Sequence, residues 1–153
     1  MPWNNLKTEI MNKKILGSVL LFFVLILNAQ SQTVIGKWKT IDDVTGQAKS
    51  IVEIYEKSGK IFGKVIEIFD KERKNNLCSN CSGEDKNKPI LGMTIIKGLS
   101  KEGDTFCNGK ILDPKNGNLY KCSIVLEAKD KLKVHGYIGI SLLGRTQYWF
   151  RAK

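Results

Sequence analysis

Cysteines, paired acids and a single histidine are the residues of this 153-residue chain whose types and spacing suggest chemistry. Cys78 and Cys81 form a Cys-x-x-Cys. That spacing suits a small disulfide staple, a redox pair, or half of a tetrahedral zinc site. A redox pair wants its first thiol at a helix N-terminus beside a βαβ pattern, and the sequence supplies no such helix. Zinc wants a second pair or nearby imidazoles, whereas Cys107, Cys122 and His135 are far apart. The staple is the favoured of the three readings. Cys107 and Cys122 stand about equally far from a turn at Pro114-Lys115, so a cross-strand bond between them is open; a buried thiol on an apolar face is the alternative for Cys122. Asp42 and Asp43 suit a cation or acid–base work, yet Asp-Asp-x-Thr-Gly more often closes a turn with side-chain acceptors. With one histidine and no Gly-x-Ser-x-Gly, the usual hydrolase and metalloenzyme constellations are absent, and no catalytic residue, metal or cofactor is assigned.

The elements that must position these residues are β-type almost throughout. Candidate strands are Val34 to Thr40, Ser50 to Lys57, Lys60 to Phe69, Ile90 to Lys97, Thr105 to Leu112, Asn118 to Ala128, Lys131 to Ile138 and Arg145 to Arg151. Tyr120, Cys122, Ile124 and Leu126 alternate with Lys121, Ser123, Val125 and Glu127, the period-two signature of a half-buried strand. Ser58-Gly59, Glu102-Gly103-Asp104 and Asp113 to Gly117 read as hairpin turns. A polar stretch from Asp70 to Pro89 reads as a long loop, and Gly136, Gly139 and Gly144 crowd the last hairpin. Eight strands joined by short turns leave open edges unless they close, so the expected fold is all-β: an eight-stranded antiparallel up-and-down barrel, with a β-sandwich as runner-up. The opening Gly36-Lys37-Trp38 places a large rigid indole as a plug at one end of the core.

Ahead of the strands, Asn12-Lys13-Lys14, an apolar run from Ile15 to Leu27 and small residues at Ala29 and Ser31 fit a secretory leader. Residues 1–31 are read as that leader, with Met11 as the better start, and residues 32–153 as one domain. The run is shorter than the roughly 20 residues a membrane span needs, and no span is expected in the mature chain. Export to the periplasm or the extracellular space follows. Removing Lys7, Lys13, Lys14 and Glu9 lowers the formal charge from +10 to +8. Such a basic domain suits an anionic envelope surface. Its lysines alternate with apolar residues as on solvated strand faces, which disfavours nucleic acid.

With the strands placed, the chain resembles a bacterial family of unknown function, DUF2147. The carriers are Gly36-Lys37-Trp38-Lys39-Thr40-Ile41-Asp42-Asp43, Thr45-Gly46, Lys49-Ser50, the Cys78 and Cys81 pair, Pro89 to Met93, Gly109 to Pro114, Gly136-Tyr137-Ile138-Gly139, Gly144-Arg145-Thr146-Gln147 and Trp149. The resemblance implies an exported, lipocalin-like barrel with no settled activity. His135 stands where that pattern has Arg. Gly-x-Trp also looks like the lipocalin signature, which implies a basic residue, Arg145 or Arg151, packed over the Trp38 indole.

Three functions remain open from sequence. The first is a binding barrel whose interior takes a small apolar or amphipathic molecule, lined by Trp38, Ile54, Phe62, Ile66, Ile124, Leu126, Val134 and Ile138 if those faces turn inward. The second is a filled structural or interaction barrel at the cell envelope. An enzyme using Cys78, Cys81, Asp42 and Asp43 in thiol-redox or cation-dependent chemistry is least favoured.

Overall fold

The computed structural model describes residues 33–153; the leader expected over residues 1–31 lies outside the described residues. Strands β1 (Gly36–Ile41), β2 (Ala48–Lys57), β3 (Lys60–Ile68), β4 (Thr94–Glu102), β5 (Thr105–Asp113), β6 (Asn118–Ala128), β7 (Lys131–Tyr137) and β8 (Gly144–Arg151) follow one another around a closed barrel. Every neighbouring pair is antiparallel, and β8 returns to β1 through Trp38 opposite Arg151 and Lys39 opposite Phe150. Closure excludes the sandwich and pairs the outermost strands with each other. Among the described residues one 3-10 turn, Gly83–Asp85, is the helical element, and no helix is long and apolar enough to cross a membrane.

Alternation fixes what lies inside. Trp38, Val52, Ile54, Val65, Ile96, Leu99, Ile124, Leu132, Val134 and Trp149 are buried and form one cluster. Their registers agree: Trp38 sits opposite Val52, Val52 opposite Val65, Ile124 opposite Val134 and Leu132 opposite Trp149. Burying side chains of this size stabilises by about 1.5–3 kcal/mol each before chain entropy is counted.

Bulges account for the departures from simple alternation. Gly98 and Asn108, with φ of 69° and 61°, sit diagonally across β4 and β5, one position out of line, and change the facing of both strands without altering their mutual register. Leu99 and Phe106 therefore turn to the core, and Cys107 turns away. The fourth strand is Thr94–Glu102 rather than Ile90 to Lys97. Pro89 lacks a ladder donor, and Gly92 at φ 89° reverses the chain so that Gly92 N donates to Val65 O at 2.8 Å.

The meander gives the barrel two unlike ends. The hairpin turns after β2, β4 and β6 lie at one end with Thr33–Ile35, while the loops after β1, β3, β5 and β7 form the other. At this second end the long loop is stapled by Cys78–Cys81, with a Cα–Cα distance of 5.3 Å. It seats against the β5–β6 turn: Asn80 Nδ2 donates to Lys115 O at 3.0 Å, and the Asp85 carboxylate pairs with Lys97. Leu112 points outward from β5 yet is buried, since Ile111 beside it turns inward and the stapled loop packs at this end of the strand.

Candidate functional site

At the stoppered end, Trp38 is fully buried and its Nε1 donates to Val34 O at 2.7 Å. Arg151 stacks on the indole, with Cζ 4.2 Å from the ring. The guanidinium also donates to Thr33 O at 2.7 Å, Lys129 O at 2.9 Å and Ile35 O at 3.1 Å. Arg151, not Arg145, is the residue over Trp38, and it fastens the entering chain and the β6–β7 turn to the plug. The glycine of Gly-x-Trp is explained here: Gly36 has φ 128°, and a Cβ there would lie 2.9 Å from Arg151 Nη1.

Arg145 belongs to the opposite end, the mouth. The inward side of β8 carries Arg145, Gln147 and then the buried Trp149. Asp43, from the β1–β2 loop, accepts hydrogen bonds from the Arg145 guanidinium and from Gln147 Nε2, the latter at 3.1 Å. Trp149 Nε1 donates to Gln147 Oε1 at 3.4 Å, so a polar chain runs from the rim to a core indole. Thr40 and Ser50 face each other inside β1 and β2 with their hydroxyls 2.8 Å apart. Gly136, opposite Arg145, leaves room on the inner wall for Ile111 and Tyr120 of the adjoining strands. The mouth half thus sets polar and small groups among Ile68, Ile111 and Tyr120, above a closely packed apolar floor.

The two aspartates divide their work. Asp42 Oδ1 accepts from Val44 N and Thr45 N, both at 3.0 Å, and from the Thr45 hydroxyl, which closes the turn. Backbone donation from Thr45 and then Val44 holds its carboxyl below the ordinary range. At Asp43 partial desolvation pushes upward, but hydrogen bonds from Gln147 and Arg145 and the guanidinium charge outweigh it, leaving that carboxyl lowered too. A depressed folded-state value stabilises above the ordinary carboxylate pKa and is lost as pH falls through the folded value. The Asp43 tie is therefore expected to persist at neutral pH and to release only once the pH falls below the ordinary carboxylate range, measurable as the Asp43 carboxyl shift in an NMR titration.

Several lining expectations are corrected. Trp38, Ile54, Ile124 and Val134 are buried inside the barrel, and Leu126 is half-buried against the core. Phe62 faces outward, stacked on Tyr55 with ring centroids 5.9 Å apart. Ile66 is the extra residue of a β3 bulge and takes no place in the core. Ile138 lies beyond the end of β7 and is exposed. Gly139 is also in that loop, where its carbonyl accepts from Lys121 Nζ at 3.2 Å.

Cys107 and Cys122 are free. Gly109, not Cys107, lies opposite Cys122, because the β5–β6 hairpin register runs unbroken from Asp113–Asn118 to that pair, and the Asn108 bulge beyond it turns Cys107 outward. Desolvation pushes the Cys122 thiol up to about 12. The half-exposed Cys107 is raised as well, by desolvation and by Glu102. Iodoacetamide at pH 8 is expected to label Cys107 slowly in the folded protein and to leave Cys122 untouched until denaturant is added, read by peptide mass spectrometry. Among the described residues no group of three or more Cys, His, Asp or Glu is arranged to hold a metal ion.

A single antiparallel ring, stoppered by an indole under an arginine and rimmed at the other end by a polar cluster, defines a lipocalin-like barrel. The chain belongs to the DUF2147 family, whose model, described as an uncharacterized protein conserved in bacteria, matches residues 36–151. It is similar to a solved structure reported as "Protein HP1028 from the human pathogen Helicobacter pylori belongs to the lipocalin family", at 19% identity and TM-score 0.71, over 80% of this chain and 85% of that one. Comparison with curated proteins gives no match.

Proposed function

We propose that this chain is an exported lipocalin-like barrel that receives a small apolar or amphipathic molecule through the Asp43–Arg145–Gln147 mouth. The observation that carries the reading is the change of character along the lumen. Polar, partly exposed Asp43, Arg145 and Gln147 stand over a floor that Trp38, Ile54, Leu132 and Trp149 fill with apolar surface. A guest with an apolar body and one polar end fits that gradient, its polar end exchanging hydrogen bonds with Arg145 or Gln147. Leader-like residues 1–31 support the exported half of the proposal.

Native mass spectrometry of protein purified from its own host tests it. A co-purifying small molecule, displaced when Arg145 is changed to Glu, is the expected result. A bare protein mass, with Trp149 fluorescence unmoved by long-chain carboxylates or alcohols, would defeat it. The close packing of the floor favours a second reading, a filled interaction barrel, and that bare mass is the outcome it requires.

A further inference from the structure

The β7–β8 loop combines a pinned backbone with side chains that nothing covers. Ile138 N donates to Leu143 O at 3.3 Å, Leu143 N to Ile140 O at 3.1 Å, and Lys121 Nζ reaches Gly139 O. His135 holds the loop's middle against the barrel wall: its Nε2 lies 2.8 Å from Ser141 O and its Nδ1 2.9 Å from Thr146 Oγ1. On this held backbone Ile138, Ile140, Leu142 and Leu143 are 65%, 60%, 90% and 69% exposed. Four neighbouring aliphatic side chains kept in water by a hydrogen-bonded loop mark a contact surface rather than stray exposure. Val44, 93% exposed, adds to the same end from the β1–β2 loop, which Asp43 ties to Arg145.

The wall beneath that loop identifies the partner by charge. Outward positions of β6 and β7 carry Lys121 and Lys133 on the loop's side of the wall, while Lys131, Lys37 and Lys39 continue the basic face towards the plug end, where Lys131 pairs with Glu127 at 3.0 Å. Tyr148 and Phe150 stand exposed among them. A groove of about 320 Å³ opens on this wall, lined by Thr105, Ser123, Lys133, His135, Ser141 and Thr146 among others, and Ser141 belongs to the apolar loop itself. Aliphatic residues at a tip, aromatics at its flank and unpaired lysines with hydroxyls behind it are the layers that match acyl chains, interface and headgroup phosphates of a bilayer.

We propose that this face docks on an anionic phospholipid surface, the Ile138–Leu143 loop entering the leaflet and the Lys133 groove taking a headgroup phosphate. The proposal is independent of any guest in the lumen. It gives the basic charge a role that nucleic-acid binding does not need to supply.

The test is co-sedimentation of protein, purified after expression of the full-length chain, with vesicles of equal phosphatidylcholine and phosphatidylglycerol or of phosphatidylcholine alone. Binding to the mixed vesicles, weakened by salt and at least about tenfold weaker to the neutral ones, is expected. Leu142→Ser/Leu143→Ser is expected to weaken binding about tenfold or more, and Lys121→Glu/Lys133→Glu to weaken it and erase its salt dependence. Thermal melts of both variants guard against misfolding; these surface changes are expected to leave the melting temperature in place. Equal binding to both vesicle types, no binding, or a folded loop variant that binds as the wild type does would overturn the proposal. So would a dimer that dissociates in the Leu142→Ser/Leu143→Ser variant, since a second copy would then be what covers the loop.

Discussion

Replacing Trp38 with alanine is expected to cost about 3–5 kcal/mol, the range for truncating a fully buried large aromatic. For a domain of this size the melting temperature should fall by about 10–20 °C. Three losses coincide at the site: the buried indole surface, the Nε1 bond to Val34 O, and the ring on which Arg151 lies. Arg151→Met separates them, since methionine keeps an apolar stem over the ring but leaves the carbonyls of Thr33, Ile35 and Lys129 without their donor. Its expected cost is about 1–3 kcal/mol. Arg145→Met should cost under about 1 kcal/mol, because that guanidinium is largely exposed and paired at the mouth. Thermal melts of the three variants check the assignment, and an Arg145→Met as damaging as Arg151→Met would show that the wrong arginine has been placed on the indole.

Gly117→Val should be the second large effect. Gly117 has φ 76°, and a Cβ built there would lie 1.9 Å from Asn80 O, a backbone atom of the stapled loop. Two penalties add, a β-branched residue in the left-handed region and a collision that the loop can relieve only by moving off the β5–β6 turn. About 2–4 kcal/mol of destabilisation is expected. The amides of Cys78, Asn87 and Ile90, whose hydrogen bonds hold the loop together, should exchange faster. Gly46→Val is the control, because Gly46 also has positive φ, at 69°, but nothing within 4 Å of its Cβ position. If both variants melt alike, backbone strain alone explains the first and the seating of the loop contributes nothing.

The fold was legible because period-two alternation and turn chemistry agree along most of the chain. Asn118 to Ala128 and its partner from Lys131 show inward and outward faces in their residue types, and Gly59 and Gly117 supply the positive φ that the turns after β2 and β5 need, although Ser58 takes a positive φ as well. Alternation failed where a bulge intervened. Asn108-Gly109 is a dipeptide that tolerates positive φ, but within an otherwise regular strand it does not say which residue will bulge, and the positive φ at Asn108 turns Cys107 outward. Ile66 was misread for a different reason: it alternates with Phe62 on the outward side of β3, while Ile61 and Val65 hold the inward side, and both faces carry apolar residues.

The mouth was visible only in pieces. Asp43 and Arg145 stood among the motif residues, but they are 102 positions apart, and only barrel closure brings their side chains together. The exposed loop had a signal of its own: Ile138, Ile140, Leu142 and Leu143 continue an apolar run past Tyr137 between two glycines, where a hairpin turn should be polar. Reading Ile138 as barrel lining absorbed that signal into the core.

The Arg151 clasp also governs how the polypeptide can be rewired. Ala152 N donates to Lys37 O at 2.9 Å, and Arg151 holds Thr33, so the first and last described residues leave the same pole side by side. A short Gly-Ser bridge from Lys153 to Thr33, with new termini opened at the Ser58-Gly59 hairpin, would give a circular permutant that retains all eight staves. A surface tether attached at Thr33 or Lys153 would leave the far rim, with Arg145 and the aliphatic loop, free to meet whatever is presented to it.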